Sequence, residues 1–305
     1  MKKPLPPYTG RFAPSPTGPM HAGTIVAAMA SYLEAKQHEG QWLLRIEDLD
    51  PPREVPGSAD AIIRSLDNLG FEWDQAILYQ SNRHEAYRET VNWLLDKNLA
   101  YACDCSRKTI AESAIRESRS NQTGQNESDE QMYPGFCRKR HLKAEGNVAI
   151  RILTDNTVDN FFDLIAGKIS YNLEKQCGDF VIQRKDKLYA YQLAVVIDDA
   201  FQNVTDVVRG ADLLGSTPRQ IHLQKILGLD RPKYAHIPLL LDNNGEKFSK
   251  SSFQGKPPEN NLNSLLKSWH HLKQLKTSAD DFEHKEDFWR WAIINWDINR
   301  VKIND

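Results

Sequence analysis

No uninterrupted apolar run in the 305 residues approaches the roughly 18 that a membrane-spanning helix needs, so a helical membrane protein is excluded at the outset. The start, Met1-Lys2-Lys3-Pro4-Leu5-Pro6-Pro7, runs from two lysines into prolines instead of an apolar stretch, which predicts no secretory leader and a cytoplasmic protein. Cysteine is scarce. Cys103, Cys105, Cys137 and Cys177 are too few in a chain of this length for a disulfide scaffold, and the Cys-x-Cys pair suits a metal corner better. Neither sign of charge dominates: 39 Lys and Arg against 41 Asp and Glu leave −2. That excludes a polycation coating nucleic acid by charge alone, but not a local basic groove. Internal repeats are absent. What is present, 40% hydrophobic and 9% aromatic residues, can supply a real core, and the length suits two domains or one domain with a large insertion.

The periodicity alternates between strand and helix. Tyr8 to Ala13 reads as a strand ending at Pro14-Ser15-Pro16, and Ala22 to Lys36 as a helix with Ile25, Val26, Met29, Tyr32 and Leu33 on one face. Gln41 to Ile46 reads as a buried strand, and helices follow around Ile62 to Leu69 and Tyr87 to Leu95. This is the pattern of a parallel α/β sheet. From about residue 100 to 178 the texture changes: all four cysteines fall there, with a polar tract over 118–130 that lacks apolar residues and predicts a surface loop. The α/β pattern then resumes. It predicts a hairpin around Arg184-Lys185-Asp186-Lys187, a helix from near Leu193, a strand over Asn203 to Val208, a helix over Pro218 to Leu227 and a strand over Tyr234 to Leu241. Apolar stripes at Leu262, Leu265, Leu266, Trp269 and Leu272, and at Phe288, Trp291, Ile294 and Ile298, predict core-packing helices at the end.

Two segments carry chemistry. Arg11-Phe12-Ala13-Pro14-Ser15-Pro16-Thr17-Gly18-Pro19-Met20-His21-Ala22-Gly23-Thr24 sits at a strand-to-helix junction, where the free N–H groups of a helix start suit phosphate. His21 there is a phosphate donor or simply a helix cap, and Gly23 would admit a flat base. Far downstream, Lys247-Phe248-Ser249-Lys250-Ser251 sets two lysines and two serines in one loop, fit to clamp a polyphosphate or merely solvated.

Together the two segments resemble the ATP-binding motifs of class I aminoacyl-tRNA synthetases: His21-Ala22-Gly23-Thr24 for the His-Ile-Gly-His type and Lys247 to Ser251 for the Lys-Met-Ser-Lys-Ser type, with Thr24 in place of the second histidine. Arg45-Ile46-Glu47-Asp48-Leu49-Asp50, Tyr191-Gln192-Leu193-Ala194-Val195-Val196 with Asp198-Asp199, and Val208-Arg209-Gly210-Ala211-Asp212-Leu213 extend the resemblance to the glutamyl branch. The resemblance implies a Rossmann-like parallel sheet split by a zinc-bearing insertion, with a helical C-terminal subdomain. Its boundaries here would be 1–100 and 179–245 for the two catalytic halves, 101–178 for the insertion and 246–305 for the lysine loop and helices. It implies a glutamate site of Arg11, Ser15, Glu47, Tyr191 and Arg209, since arginine grips a carboxylate through parallel hydrogen bonds. Glu47 would receive the substrate ammonium, or else only pair with Arg45. ATP, with Mg²⁺, would meet His21, Gly23, Thr24, Lys247 and Lys250, with His21 and Lys250 stabilising charge on the phosphates.

Only 55 residues follow Lys250, too few for a large anticodon-reading domain. The chain therefore resembles the short paralogues, the glutamyl-Q tRNA(Asp) synthetases. They are ligases that activate L-glutamate as the adenylate and attach it to queuosine in the anticodon loop of tRNA(Asp). A shortened synthetase charging tRNA(Glu), or a non-catalytic glutamate- or tRNA-binding paralogue, stays open. The same resemblance implies structural Zn²⁺ on Cys103, Cys105, Cys137 and Tyr133, with His141 as the alternative fourth ligand. Cys177 is expected to be a core thiol, Arg138-Lys139-Arg140 and Lys233 solvated charge, and the protein a monomer.

Overall fold

The protein was analysed as a computed structural model, which describes residues 7–112, 132–240 and 261–303. The polar tract over 118–130 and the Lys247–Ser251 loop lie outside the described residues.

The first strand, β1 (Thr9–Phe12), pairs in parallel with β2 (Gln41–Ile46), and β2 in parallel with β3 (Asp74–Tyr79). Between β1 and β2 runs α1 (Ala22–Gln37), which crosses β1, β2 and the later strand β9 (Asp206–Gly210) and is covered from the other side by the C-terminal helices Leu262–His271 and Lys285–Asn295. Covered on several sides, α1 buries Ala28, Ala30 and Ala35 as well as its predicted apolar face. β2 is buried from Trp42 onward, as a strand with both faces covered must be. The helix α2 (Ser58–Leu69) ends where Gly70 takes the left-handed conformation, φ 82°, and returns its N–H to the Leu66 and Asp67 carbonyls.

The second half of the sheet starts beside the first. The Thr205 N–H donates to the Thr9 carbonyl at 2.9 Å and sets β9 alongside β1. β10 (Lys233–Ile237) pairs in parallel with β9, and β6 (Asp159–Asp163) in parallel with β10. β1 is thus flanked by β2 on one side and β9 on the other, a topological switch point whose carboxyl edge is where such sheets bind ligands. An antiparallel sheet of β4 (Ala100–Cys103), β5 (Ala149–Ile152) and β8 (Val181–Gln183) carries the cysteine-bearing segment.

The chain returns to the main sheet earlier than the expected 101–178 insertion implies. The hairpin of β6 and β7 (Gly167–Tyr171) extends the β9–β10 sheet, while β8, expected in the second catalytic half, pairs with β5. β3 was not predicted, because its residues are only partly buried at a sheet edge and carry no strand-like alternation. β9 begins later than the predicted Asn203, and β10 closes at Ile237, short of Leu241. In the C-terminal helices Trp269, Phe288, Trp289 and Trp296 are core residues, each contributing about 1.5–3 kcal/mol. Ile294, expected on their apolar stripe, is 79% exposed, with no described element covering its face of the helix. Among the described residues no helix is long and apolar enough to cross a membrane.

Candidate active site

Four charged side chains meet where β1, β2 and the helix Tyr191–Phe201 converge. Arg11, central in β1, donates from Nε to Asp199 Oδ1 at 3.1 Å and from Nη2 to Oδ2 at 3.3 Å. Arg45, from β2, reaches the same Oδ1 at 2.8 Å and Glu47 at 3.4 Å, and donates to Gln202 at 2.9 Å. All four charged groups are buried. Burial drives the Asp199 carboxyl upward, but the Arg11 and Arg45 guanidiniums more than offset it and hold it below the usual aspartate range. Glu47 goes the other way: burial raises it, and the attraction of Arg45 and Arg11 is insufficient to bring it back. An ammonium arriving beside Glu47 would favour its charged form. The Arg45–Glu47 pair anticipated as the plain reading of Glu47 therefore exists, and it leaves Glu47 on the wall of a cavity.

Arg209, on β9, is held differently. Its Nε donates to His236 Nε2 at 3.1 Å, Nη2 to Thr217 Oγ1 at 2.8 Å and Nη1 to the Tyr191 hydroxyl at 3.4 Å. These partners are all uncharged, since burial pushes His236 below the ordinary histidine value and the Asp163 hydrogen bond only partly offsets this. Arg11 is paired with a carboxylate; the hydrogen-bond partners of Arg209 among the described residues are all neutral.

Two cavities open at this edge. The larger, about 1170 Å³, is lined by Ser15, Glu47 and Tyr191, with the arginines Arg53, Arg107, Arg184 and Arg219 further along its wall. The smaller, about 340 Å³, is lined by Ser15, His21, Gly23 and Thr24. Ser15 faces both. Arg11 and Arg209, 3% and 5% exposed, stand one layer behind these walls, not on them. His21 is the N-cap of α1: its Nδ1 accepts the Thr24 N–H at 3.3 Å, which assigns the proton of the neutral ring to Nε2. A Cβ on Gly23 would stand 3.2 Å from His21 Cε1, so glycine keeps the ring and the helix start close together. Lys247 and Lys250 lie outside the described residues.

The family model for class I tRNA synthetases of the E and Q type, catalytic domain, matches residues 8–263. A glutamyl-Q tRNA(Asp) synthetase of Ectopseudomonas mendocina is 45% identical over 295 residues, 96% of this chain and 95% of that protein. One from Pseudomonas syringae pv. tomato is 46% identical over 299 residues, 98% and 93% of the two chains. The chain belongs to the glutamyl-Q tRNA(Asp) synthetase family. Among solved structures, a glutamate tRNA ligase from Elizabethkingia meningosepticum, determined with its amino acid, superposes with a TM-score of 0.78 at 26% identity. That match covers 98% of this chain but 66% of the ligase, just under two thirds of its length. The α/β class I synthetase fold expected for a glutamyl-Q synthetase is therefore the fold observed.

The cysteines that the family resemblance singled out do meet. The Sγ atoms of Cys103, Cys105 and Cys137 all lie within 4.8 Å of one another. The Tyr133 hydroxyl is 3.4 Å from Cys103 Sγ and 3.7 Å from Cys105 Sγ, whereas His141 is exposed and outside the cluster. Arg151 donates to Cys103 Sγ at 3.4 Å with its guanidinium 3.8 Å from the Tyr133 ring centre, and Arg140 donates to Cys137 Sγ at 3.4 Å. Burial raises the Cys103 thiol, but the Tyr133 and Arg151 hydrogen bonds more than offset it and favour its thiolate, the form that binds metal, whereas burial pushes Cys105 up to about 11. Cys177 is a buried thiol donating to the Leu173 and Gly178 carbonyls. Arg138, expected to be solvated, instead grips the buried Asp179 at 2.5 and 2.6 Å.

Sequence reasoning gave no role to Asp199, Thr217, His236 or Asp163. Asp199 stood inside a quoted motif, and its adjacency to Asp198 was the one available signal; the other three join the site only through tertiary pairing.

Proposed function

We propose that this chain activates L-glutamate with ATP and Mg²⁺, releasing pyrophosphate, and transfers the glutamyl group from the adenylate to queuosine in the anticodon loop of tRNA(Asp). The glutamate α-carboxylate attacks the α-phosphorus of ATP, the bond to the β,γ-pyrophosphate breaks, and a hydroxyl of the acceptor nucleoside then displaces AMP. The observation that carries this reading is Arg209: a buried guanidinium on β9 whose partners among the described residues are neutral. Glu47 is the residue for the substrate ammonium, Tyr191 and Ser15 supply polar contacts, and Arg11 shapes the floor through Asp199. The smaller cavity is the place for the nucleotide, with His21, Gly23, Thr24 and the start of α1 near its phosphates. Lys247 and Lys250, outside the described residues, are the cations for those phosphates in this reading. No side chain need act as nucleophile; positioning and charge stabilisation suffice.

The division into catalytic halves, a cysteine-bearing insertion and a helical C-terminal part belongs to the same reading, as does structural zinc on Cys103, Cys105, Cys137 and Tyr133. Zn–S bonds of about 2.3 Å put tetrahedral sulfurs about 3.8 Å apart. The 3.5 Å between Cys105 and Cys137 Sγ is close to that spacing. The test is transfer of labelled glutamate, in the presence of ATP, to tRNA(Asp) with and without queuosine and to tRNA(Glu). Label should enter only the queuosine-bearing tRNA(Asp) and stay with its anticodon fragment after nuclease digestion. Label on the 3′ end of tRNA(Glu) would overturn the acceptor assignment.

A further inference from the structure

We infer that Asp163 and His236 form a positioning relay that fixes the tautomer of His236, so that its Nε2 accepts from Arg209 and aims that guanidinium at the substrate carboxylate. The inference rests on the reading of Arg209 as the glutamate-side-chain ligand and extends it by two residues that contact no cavity wall. His236 stands opposite Arg209 in the β9–β10 pairing, and β6 delivers Asp163 next to β10. Asp163 Oδ2 is 2.6 Å from His236 Nδ1, while Arg209 Nε is 3.1 Å from His236 Nε2. Asp163, His236 and Thr217 are fully buried, so no water competes for these bonds.

The proton positions follow from the partners. A guanidinium Nε can only donate, so His236 Nε2 must be an acceptor. The proton of the neutral ring is then on Nδ1, directed at a carboxylate. Burial pushes His236 toward its neutral form, and the bonds Asp163 receives hold it ionised below the usual aspartate range despite its own burial. Thr217 completes the arrangement: its hydroxyl accepts from Arg209 Nη2 at 2.8 Å and lies 3.1 Å from His236 Nε2. The placement has a purpose that a direct Asp–Arg pair would defeat. Arg11 is bonded straight to Asp199, a carboxylate it shares with Arg45; an imidazole between Asp163 and Arg209 fixes orientation while leaving a net cation for the incoming carboxylate.

The two oxygens of Asp163 separate its roles. Oδ1 accepts the backbone N–H of Ile165 at 3.0 Å, of Ala166 at 2.8 Å and of His236 at 3.3 Å, which holds the turn after β6; only Oδ2 serves the imidazole ring. In Asp163→Asn the amide oxygen keeps the backbone donors and the amide NH₂ faces Nδ1. The ring must then carry its proton on Nε2, which sets two donors head-on at Arg209. The same substitution behind a catalytic histidine in a serine protease leaves the geometry intact and costs activity through the wrong tautomer.

The experiment measures glutamate-dependent ATP–pyrophosphate exchange with tRNA(Asp) present, together with the ¹⁵N NMR shifts of the His236 ring, in wild type, Asp163→Asn and Arg209→Ala. The relay predicts an Nδ1–H tautomer in the wild type and an Nε2–H tautomer in Asp163→Asn. It also predicts that Asp163→Asn raises the glutamate KM about tenfold or more while the ATP KM stays within about twofold. A structural role alone would lower the melting temperature and move both KM values together. A wild-type ring protonated on Nε2, an unchanged tautomer in Asp163→Asn, or a flipped tautomer with an unchanged glutamate KM each overturns the relay. If Asp163→Asn does not fold, the wild-type tautomer decides. Failure of the underlying reading shows separately, as an unchanged glutamate KM in Arg209→Ala.

Discussion

Replacing Arg209 by alanine is expected to raise the glutamate KM by about 10²-fold or more, with the ATP KM nearly unchanged. Charge-assisted hydrogen bonds are worth about 1.5–3 kcal/mol each, and a carboxylate held by two of them loses both when the guanidinium is removed. The loss is expected to fall on glutamate because Arg209 is not on the wall of the smaller cavity, although its neighbour Gly210 is. Arg209→Lys should recover little: an ammonium is a point charge and cannot meet His236, Thr217, Tyr191 and a carboxylate in one plane. Steady-state pyrophosphate exchange against glutamate and ATP separately measures this. A loss shared equally by both substrates would mean that Arg209 supports the fold and not the amino acid.

The second large effect is expected at the cysteine cluster. Protein purified without chelator should contain about one zinc per chain, and Cys137→Ser should lose the metal and lower the melting temperature sharply. Structural zinc contributes about 10–16 kcal/mol to the folding of small peptides, and few apolar side chains other than the ligands hold this corner together. Tyr133→Phe is a finer probe. It removes the hydroxyl that accepts the Cys137 N–H at 3.0 Å and sits beside two of the sulfurs, so zinc should bind more weakly without being abolished. Metal analysis that finds no zinc, with Cys137→Ser melting like the wild type, would leave the cluster as three neighbouring thiols without a metal role.

What the sequence made legible follows the reach of each signal. α1 and β2 could be read because their determinants are local: an apolar face at helical spacing, and a continuous apolar run. β3 could not, since an edge strand with partly exposed residues has no pattern to display. Arg11, Glu47, Tyr191 and Arg209 were legible through their motifs, but not how they are arranged. Nothing near Arg11 in sequence says that it pairs with Asp199, 188 positions away, or that Arg209 is held by His236, 27 positions on. The contrast between an arginine bonded to a carboxylate and one whose partners among the described residues are neutral is a property of tertiary pairing, and the proposed role of Arg209 rests on it. Ile294 shows the same limit in reverse: its spacing fits an apolar stripe, yet it is exposed, with no described element over it.

The most direct measurement is a crystal structure of the protein with a non-hydrolysable glutamyl-adenylate analogue. The side-chain carboxylate should lie within hydrogen-bond distance of Arg209, the ammonium beside Glu47, and the adenosine in the smaller cavity next to His21 and Gly23. An analogue whose carboxylate is bound away from Arg209, or whose adenosine sits outside that cavity, would contradict the assignment of this pocket to an acidic amino acid joined to a nucleotide.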